Sequence, residues 1–70
     1  MEMIYVDSSN LDSVGYDESK SLLVIEFKSG SIYEYYDVPS YVFDELLSAS
    51  SKGSFAHENI YSVYSQQRIR

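Results

Sequence analysis

Alternation of apolar and polar residues in the first half of the chain predicts an antiparallel sheet. Branched and aromatic residues are concentrated at Leu22–Phe27 and again at Ser31–Tyr36, so each segment is a strand candidate. Gly30 lies between them and suits the left-handed third position of a three-residue loop, because glycine adopts positive φ without steric cost. The pattern predicts a β-hairpin with the loop Lys28–Gly30, and a two-residue turn at Ser29–Gly30 is the alternative.

The hydrophobic pattern favours the three-residue loop. With this loop Ile25 lies opposite Tyr33 and Leu23 lies opposite Tyr35, so one face of the hairpin is apolar. A shift of one residue would bring Glu34 into that face. We therefore predict a core face made of Leu23, Ile25, Phe27, Tyr33 and Tyr35.

Two shorter segments extend the predicted sheet. Val14–Tyr16 is followed by a polar turn at residues 17–20 and would pair with the first hairpin strand. Ile4–Val6 is a candidate fourth strand at an edge. The first half of the chain thus predicts a meander of three or four antiparallel strands.

Helical spacing replaces strand alternation after Pro39, a residue favoured in the first turn of a helix. Val42, Leu46 and Ala49 recur on one side of a helix of about ten residues. Lys52 with Gly53 resembles the basic last turn and glycine stop that end a helix.

Ser54 can then cap a second, shorter helix that carries Phe55 and Ile60, and the segment 65–70 is a polar tail. We predict an α+β fold, in which a small antiparallel three- to four-stranded β-meander is covered on one face by two short helices. No linker or repeat divides the chain, so residues 1–70 form a single domain.

Composition restricts the class of protein further. The 70 residues include no cysteine, and the aliphatic run Leu22–Ile25 is far shorter than the ~20 residues of a membrane helix. The segment Met1–Asp7 lacks the basic and apolar regions of a secretory signal. We therefore expect a cytoplasmic protein that has no disulfide and does not associate with a membrane.

The net charge of −6 makes the protein acidic, but the charge is uneven. Acidic residues dominate up to Glu45, whereas Lys52, Arg68 and Arg70 face only Glu58 in the remainder. Nucleic-acid binding depends on Lys and Arg side chains that displace counterions from phosphates. The C-terminal part is therefore the candidate region for phosphate contacts, although ordinary solubility charge is the simpler interpretation.

Catalytic and metal-binding motifs are largely absent. His57 is the single histidine, and Tyr61 occupies the position where a zinc-binding H-E-x-x-H helix would have its second histidine. No G-x-S-x-G nucleophile turn or phosphate-binding glycine loop occurs. We expect no enzyme activity, no metal site and no small-molecule cofactor, and an exposed helix position for His57.

The pattern Tyr33-x-Tyr35 is the clearest candidate for binding, because alternate residues of a strand project to the same side. RNA-binding sheets stack bases on such aromatic pairs. The register predicted above places both rings in the core instead, which is the interpretation we favour. Tyr36, on the opposite face, is a candidate anchor for a protein partner.

Several short motifs occur in an order that resembles a known family. The motifs are Asp7-Ser8-Ser9-Asn10, Val14-Gly15-Tyr16-Asp17, Leu23-x-Ile25-x-Phe27-x-x-Gly30, Tyr33-x-Tyr35, Val38-Pro39, and Ala49-Ser50-Ser51-Lys52-Gly53-Ser54-Phe55 with Ile60. From about Val6 to Ile69 the chain resembles the KTSC domain, which is named after the C-terminus of certain lysine-tRNA synthetases. The family also includes free-standing small proteins of bacterial and phage type.

The resemblance implies a non-catalytic binding module of the KTSC type, for which RNA binding has been suggested from the attachment to the synthetase. A module for protein–protein interaction or self-association, acting through a sheet edge or the Tyr36 face, is the alternative. The candidate residues for contact with RNA or a partner are Tyr33, Tyr35, Tyr36, Lys52, His57, Arg68 and Arg70.

Overall fold

The computed structural model describes all residues from 1 to 70, and one antiparallel sheet organises the fold. Its strands are β1 (Met3–Tyr5), β2 (Leu11–Asp17), β3 (Leu22–Phe27), β4 (Ile32–Tyr35) and β5 (Gln66–Arg68), in the spatial order β1-β2-β3-β4-β5. The helices α1 (Ser40–Ser48) and α2 (Lys52–Asn59) lie between β4 and β5 in the sequence. The predicted α+β fold is confirmed, with one strand more than expected.

The hairpin around Gly30 has the predicted geometry. Ile25 pairs with Tyr33 and Leu23 with Tyr35. The Phe27 amide donates to the Ser31 carbonyl at 2.8 Å, which closes the three-residue loop. Gly30 has a φ of 97°, a conformation that would strain any residue with a Cβ.

The core lies between the sheet and the two helices. Ile25 and Leu23 are completely buried, Tyr35 is 2% exposed, and Phe27 and Tyr33 are partly buried at one end of the same face. The Tyr16 side chain joins the layers, since its ring stacks on Phe43 of α1 with the ring centres 5.4 Å apart. The predicted core face is therefore confirmed, and its last two aromatic residues lie at the margin of the core.

The C-terminal segment is a strand and not the free tail that its polar composition predicts. β5 pairs with β4, and the Tyr36 amide donates to the Ser65 carbonyl while the Ile69 amide donates to the Ile32 carbonyl. This pairing satisfies backbone groups of β4 that would otherwise form an open sheet edge. The residues of β5 are all exposed, so the sequence of this segment shows no alternation of apolar and polar residues that would predict a strand.

The predicted helix boundary at Lys52 and Gly53 is wrong. α1 ends at Ser48, and Lys52 and Gly53 are the first residues of α2. Ser51, not Ser54, is the N-cap, because the Ser51 hydroxyl accepts a hydrogen bond from the Ser54 amide at 3.3 Å. Gly53 therefore does not end a helix but lies in the first turn of the second one. No helix of the chain is long and apolar enough to cross a bilayer.

Candidate functional site

A groove of about 620 Å³ lies on the helix side of the sheet, where the β3–β4 loop approaches the segment before β2 and the end of α2. The strands bring residues of the hairpin to one wall, and Tyr61, which follows α2, forms part of another. The groove is lined by Ser9, Asn10, Phe27, Lys28, Ser29, Ser31, Tyr33, Tyr35, Tyr61 and Gln66. We call it the aromatic groove.

The rings of the aromatic groove form one contact cluster. Phe27 meets Tyr33 edge to face with ring centres 5.8 Å apart, and it approaches Tyr61 at 6.0 Å. Tyr35 stacks on Tyr33 at 6.3 Å and on Tyr61 at 6.1 Å. Tyr35 is buried behind its neighbours, whereas the other three rings are only partly buried. The arrangement offers aromatic surface to a planar group from more than one side.

The charge of the groove differs from the charge of the whole protein. None of its ten lining residues is acidic, and Lys28 is the one charged residue among them, although the chain carries 11 Asp and Glu residues. Arg68 of β5 pairs with Tyr33 of β4 and therefore projects from the same side of the sheet. An anionic ligand would meet less repulsion here than elsewhere on the surface.

The Tyr61 hydroxyl is a buried polar group with no hydrogen-bond partner in the protein. Burial raises the pKa of this phenol above its usual value. An unpaired buried hydroxyl costs roughly 1–3 kcal/mol. Tyr61 thus contributes its ring to the groove, while its hydroxyl is buried without a partner.

A smaller and more polar groove of about 410 Å³ adjoins the first and shares Ser9, Asn10 and Tyr61 with it. Asn10 is held at the boundary because its carboxamide packs against Gly53 in the first turn of α2. A Cβ on Gly53 would lie 2.8 Å from the Asn10 side-chain oxygen. Glycine at this position therefore allows the close approach of the helix to the Asn10 side chain.

The structure divides the predicted contact residues between the two faces of the sheet. Tyr33 and Tyr35 lie in the aromatic groove, but only Tyr33 retains an accessible ring. Tyr36 lies on the opposite face, where its hydroxyl donates to the Glu34 carboxylate at 2.9 Å. This hydrogen bond, followed by burial, raises the pKa of Tyr36. Tyr36 therefore does not belong to the same site as Tyr33.

The predicted basic residues are also separated. Arg68 lies on the Tyr33 side, whereas the Arg70 guanidinium forms an ion pair with Glu26 at 3.0 Å. The Lys52 ammonium donates to the Ala49 carbonyl at 3.0 Å. His57 is exposed on α2, and its ring meets Tyr61 edge to face at 6.3 Å. Of these four, Arg68 is the residue best placed beside the accessible rings.

Sequence reasoning missed several lining residues of the aromatic groove. The sequence pattern places Lys28 in the hairpin loop and does not indicate that Tyr61 reaches the same surface. Asn10 belongs to the motif Asp7-Ser8-Ser9-Asn10, which by itself does not indicate a position in a groove. The alternation that put Phe27 on the core face also put it at the end of that face, next to a basic residue, and this was the available signal.

High pH is expected to destabilise the protein through Tyr35. Burial, with smaller contributions from the nearby Tyr61 and Tyr33, raises the pKa of Tyr35 far above 10. The unfolded chain therefore loses this proton first, and the stabilisation is complete below pH ~10 and declines as the pH rises towards the folded pKa. We expect the free energy of unfolding to fall by about 1.4 kcal/mol per pH unit for this group.

Urea denaturation followed by circular dichroism between pH 9 and about pH 11 measures this slope. The variant Tyr35→Phe has no proton to lose and should show a shallower decline. An equal slope in both proteins would contradict the assignment to Tyr35.

The structure assembles no group of three or more His, Asp or Glu side chains placed to hold a metal ion. The arrangement of the groove instead supplies ring surface, short polar side chains and one ammonium group. Chemically it can bind a flat, partly polar ligand of negative charge.

The fold defines a small α+β domain with one five-stranded antiparallel sheet and two helices. The family model of the KTSC domain matches residues 7–64. The chain belongs to the KTSC domain family, as its motifs indicated. A crystal structure of a KTSC domain protein from Yersinia pestis superimposes with a TM-score of 0.95 at 32% identity, covering 99% of this chain and 97% of the other.

Relatives of two kinds share the sequence. A protein of Tsukamurella paurometabola is 44% identical over 52 residues, which are 74% of this chain and 78% of the relative. A lysine–tRNA ligase of a Nostoc species is 36% identical over 63 residues, which are 90% of this chain but only 11% of the ligase. The domain thus also occurs as a small part of lysine–tRNA ligases.

Proposed function

We propose that the protein is a non-catalytic binding module whose aromatic groove receives an unpaired base of an RNA strand. The observation that carries the proposal is the acid-free groove with the accessible rings of Phe27, Tyr33 and Tyr61 and with Lys28 at its side. Unpaired bases are recognised by stacking on aromatic side chains and by hydrogen bonds to their edges.

The geometry favours one base, not two. Tyr35 is 2% exposed and supports the neighbouring rings from behind, so Tyr33 is the member of the Tyr33-x-Tyr35 pair that remains for stacking. Stacking of one base on an aromatic side chain contributes roughly 1–3 kcal/mol. The Asn10 and Gln66 amides line the same groove and can offer hydrogen bonds to the polar edge of the base.

Electrostatics limit the affinity. Lys28 and Arg68 lie on the groove side, and a net charge of −6 opposes the approach of any polyanion. Two phosphate contacts on a single strand correspond to a salt slope of about −1.4 for log K against log salt. We therefore expect weak binding that is measurable at low salt.

The relatives supply an independent reason to consider RNA. Lysine–tRNA ligases act with a tRNA, and 90% of this chain aligns with part of such a ligase. This is an argument by association, since a domain can change its ligand when it occurs alone. A cytoplasmic location would be consistent with an RNA ligand.

Removal of the Lys28 charge is expected to weaken RNA binding and reduce its salt dependence. Fluorescence anisotropy with a labelled single-stranded RNA and with tRNA, at several salt concentrations, measures both quantities. Lys28→Ala and Arg68→Ala should each lower the magnitude of the slope by about 0.7.

Lys20→Ala is the matched control, because it removes the same charge at the opposite end of the six-residue strand β3, about 20 Å away. Equal effects of Lys20→Ala and Lys28→Ala would show that only net charge matters. Absence of binding to either RNA at low salt would overturn the proposed function.

A further inference from the structure

The sheet face opposite the helices carries apolar side chains that neither helix covers. We call it the open face. It is built from alternate residues of the five strands together with Met1, Tyr36 and Ile69: Met1, Met3, Tyr5, Ser13, Gly15, Asp17, Leu22, Val24, Glu26, Ile32, Glu34, Tyr36, Gln67 and Ile69. Residues 1–3 lie over Gly15 at one part of this face, and Ser13 and Gly15 are buried there. Both helices pack on the other side, and the open face is distinct from the aromatic groove.

The apolar side chains of the open face are not buried by the fold. Leu22, Val24 and Ile32 are partly exposed near its centre. At its margins Met1 is 58%, Tyr5 81% and Ile69 52% exposed. Exposed apolar side chains gathered on one face, with polar residues around them, are typical of interaction sites.

Acidic side chains are distributed across the same face. The cross-strand register places Asp17 beside Leu22, Glu34 beside Val24, and Glu26 beside Ile32. Arg70 is the one basic residue that reaches these carboxylates, and it is already paired with Glu26. Asp17 and Glu34 therefore leave two carboxylates without a basic partner on this face.

The charge distribution distinguishes between possible occupants. A second copy of the chain would bring its own carboxylates against Asp17, Glu26 and Glu34, and like charges in contact are unfavourable. A segment with apolar residues on one side and Lys or Arg residues beside them would complement both features. The sheet is about 24 Å wide from five strands, a width that a helix of about 16 residues spans.

We propose that the open face docks a basic amphipathic segment of another protein. Apolar residues of that segment would cover Val24, Ile32 and Tyr5, and its basic residues would pair with Glu26 and Glu34. This site is separate from the aromatic groove, so a single domain could bind RNA and the basic segment at the same time.

The test uses an amphipathic peptide of about 16 residues made of Leu and Lys at helical spacing. Isothermal titration calorimetry measures its affinity for the full chain, and amide chemical shifts identify the residues it contacts. We expect shifts on the open face, and about fivefold weaker binding to the double variant Glu26→Gln, Glu34→Gln.

The double variant Asp44→Asn, Glu45→Gln on the exposed side of α1 is the charge-matched control, since both variants change the net charge from −6 to −4. It should retain the affinity of the unmodified protein. The apolar contribution to binding is tested by Tyr5→Ser on the open face. Tyr41→Ser on α1 is the matched control, because Tyr41 is also exposed, at 61%. Only Tyr5→Ser should weaken binding.

Three outcomes would overturn the proposal. Equal losses in the two charge variants would indicate long-range attraction without a site. Shifts confined to the helices or the aromatic groove would place the peptide elsewhere. Sedimentation that shows a dimer dissociated by Tyr5→Ser would identify a second copy as the occupant.

Discussion

Replacement of Ile25 by Ala is expected to remove about 3 kcal/mol from the free energy of unfolding, the largest effect of any single change considered. Ile25 is completely buried at the centre of β3, between Val14 of β2 and Tyr33 of β4. The cavity left by three carbon atoms cannot close, because the neighbouring strands are fixed by the sheet. A domain of this size has only a few kcal/mol of stability, so a large unfolded fraction should result.

Urea denaturation followed by circular dichroism measures the change. Val24→Ala is the matched control, because Val24 is adjacent in the same strand but lies on the open face and is partly exposed. We expect it to cost less than about 1 kcal/mol. If the two substitutions cost the same, the assignment of the inner and outer faces of the sheet is wrong.

Replacement of Tyr33 by Ala is expected to weaken RNA binding by about tenfold or more, because a stacked base loses roughly 1–3 kcal/mol with its aromatic partner. Tyr33→Phe should retain most of the affinity, since the ring supplies the stacking surface. The anisotropy titration with single-stranded RNA at low salt measures both variants. Circular dichroism checks that each variant remains folded.

Tyr36→Ala serves as the control for Tyr33→Ala. It removes the same side chain three residues away, but from the opposite face of the sheet. Comparable losses in the two variants would place the RNA outside the aromatic groove. A loss that is specific to Tyr33 would support the groove even if the preferred base remained unidentified.

The two proposed binding surfaces differ in their charge. The aromatic groove contains no acidic lining residue, whereas the open face carries Asp17, Glu26 and Glu34. The same excess of acid that weakens RNA binding would strengthen the docking of a basic segment. The opposite preferences are consistent with separate ligands for the two faces.

Elements with strong local signals were predictable from the sequence. The β3–β4 hairpin follows from two segments rich in branched and aromatic residues and from one glycine between them, and its register was confirmed at Ile25 and Leu23. Gly30 has the positive φ that its position in the loop required. In this region local propensity and long-range packing favour the same structure, so a short window of sequence contained enough information.

Elements stabilised by distant partners were not predictable in the same way. β5 is polar and exposed, and it forms because β4 presents unpaired backbone groups. Gly53 resembles a helix stop locally, yet it allows α2 to approach Asn10. The need for glycine at position 53 comes from contact with Asn10, which is distant in the sequence. Such a requirement leaves no pattern among the residues next to Gly53.

The sequence by itself determined the fold class, the family, the central hairpin and which hairpin residues face the core, because burial of apolar side chains imposes a regular spacing on them. Only the tertiary structure decided that Tyr33 remains accessible while Tyr35 is covered. It also decided that Arg68 and Arg70 lie at different faces of the sheet. Finally, it brought Phe27, Lys28 and Tyr61 together around one groove. The physical reason is that a groove consists of the space left between packed elements. Its shape and charge therefore depend on how segments far apart in the sequence come together.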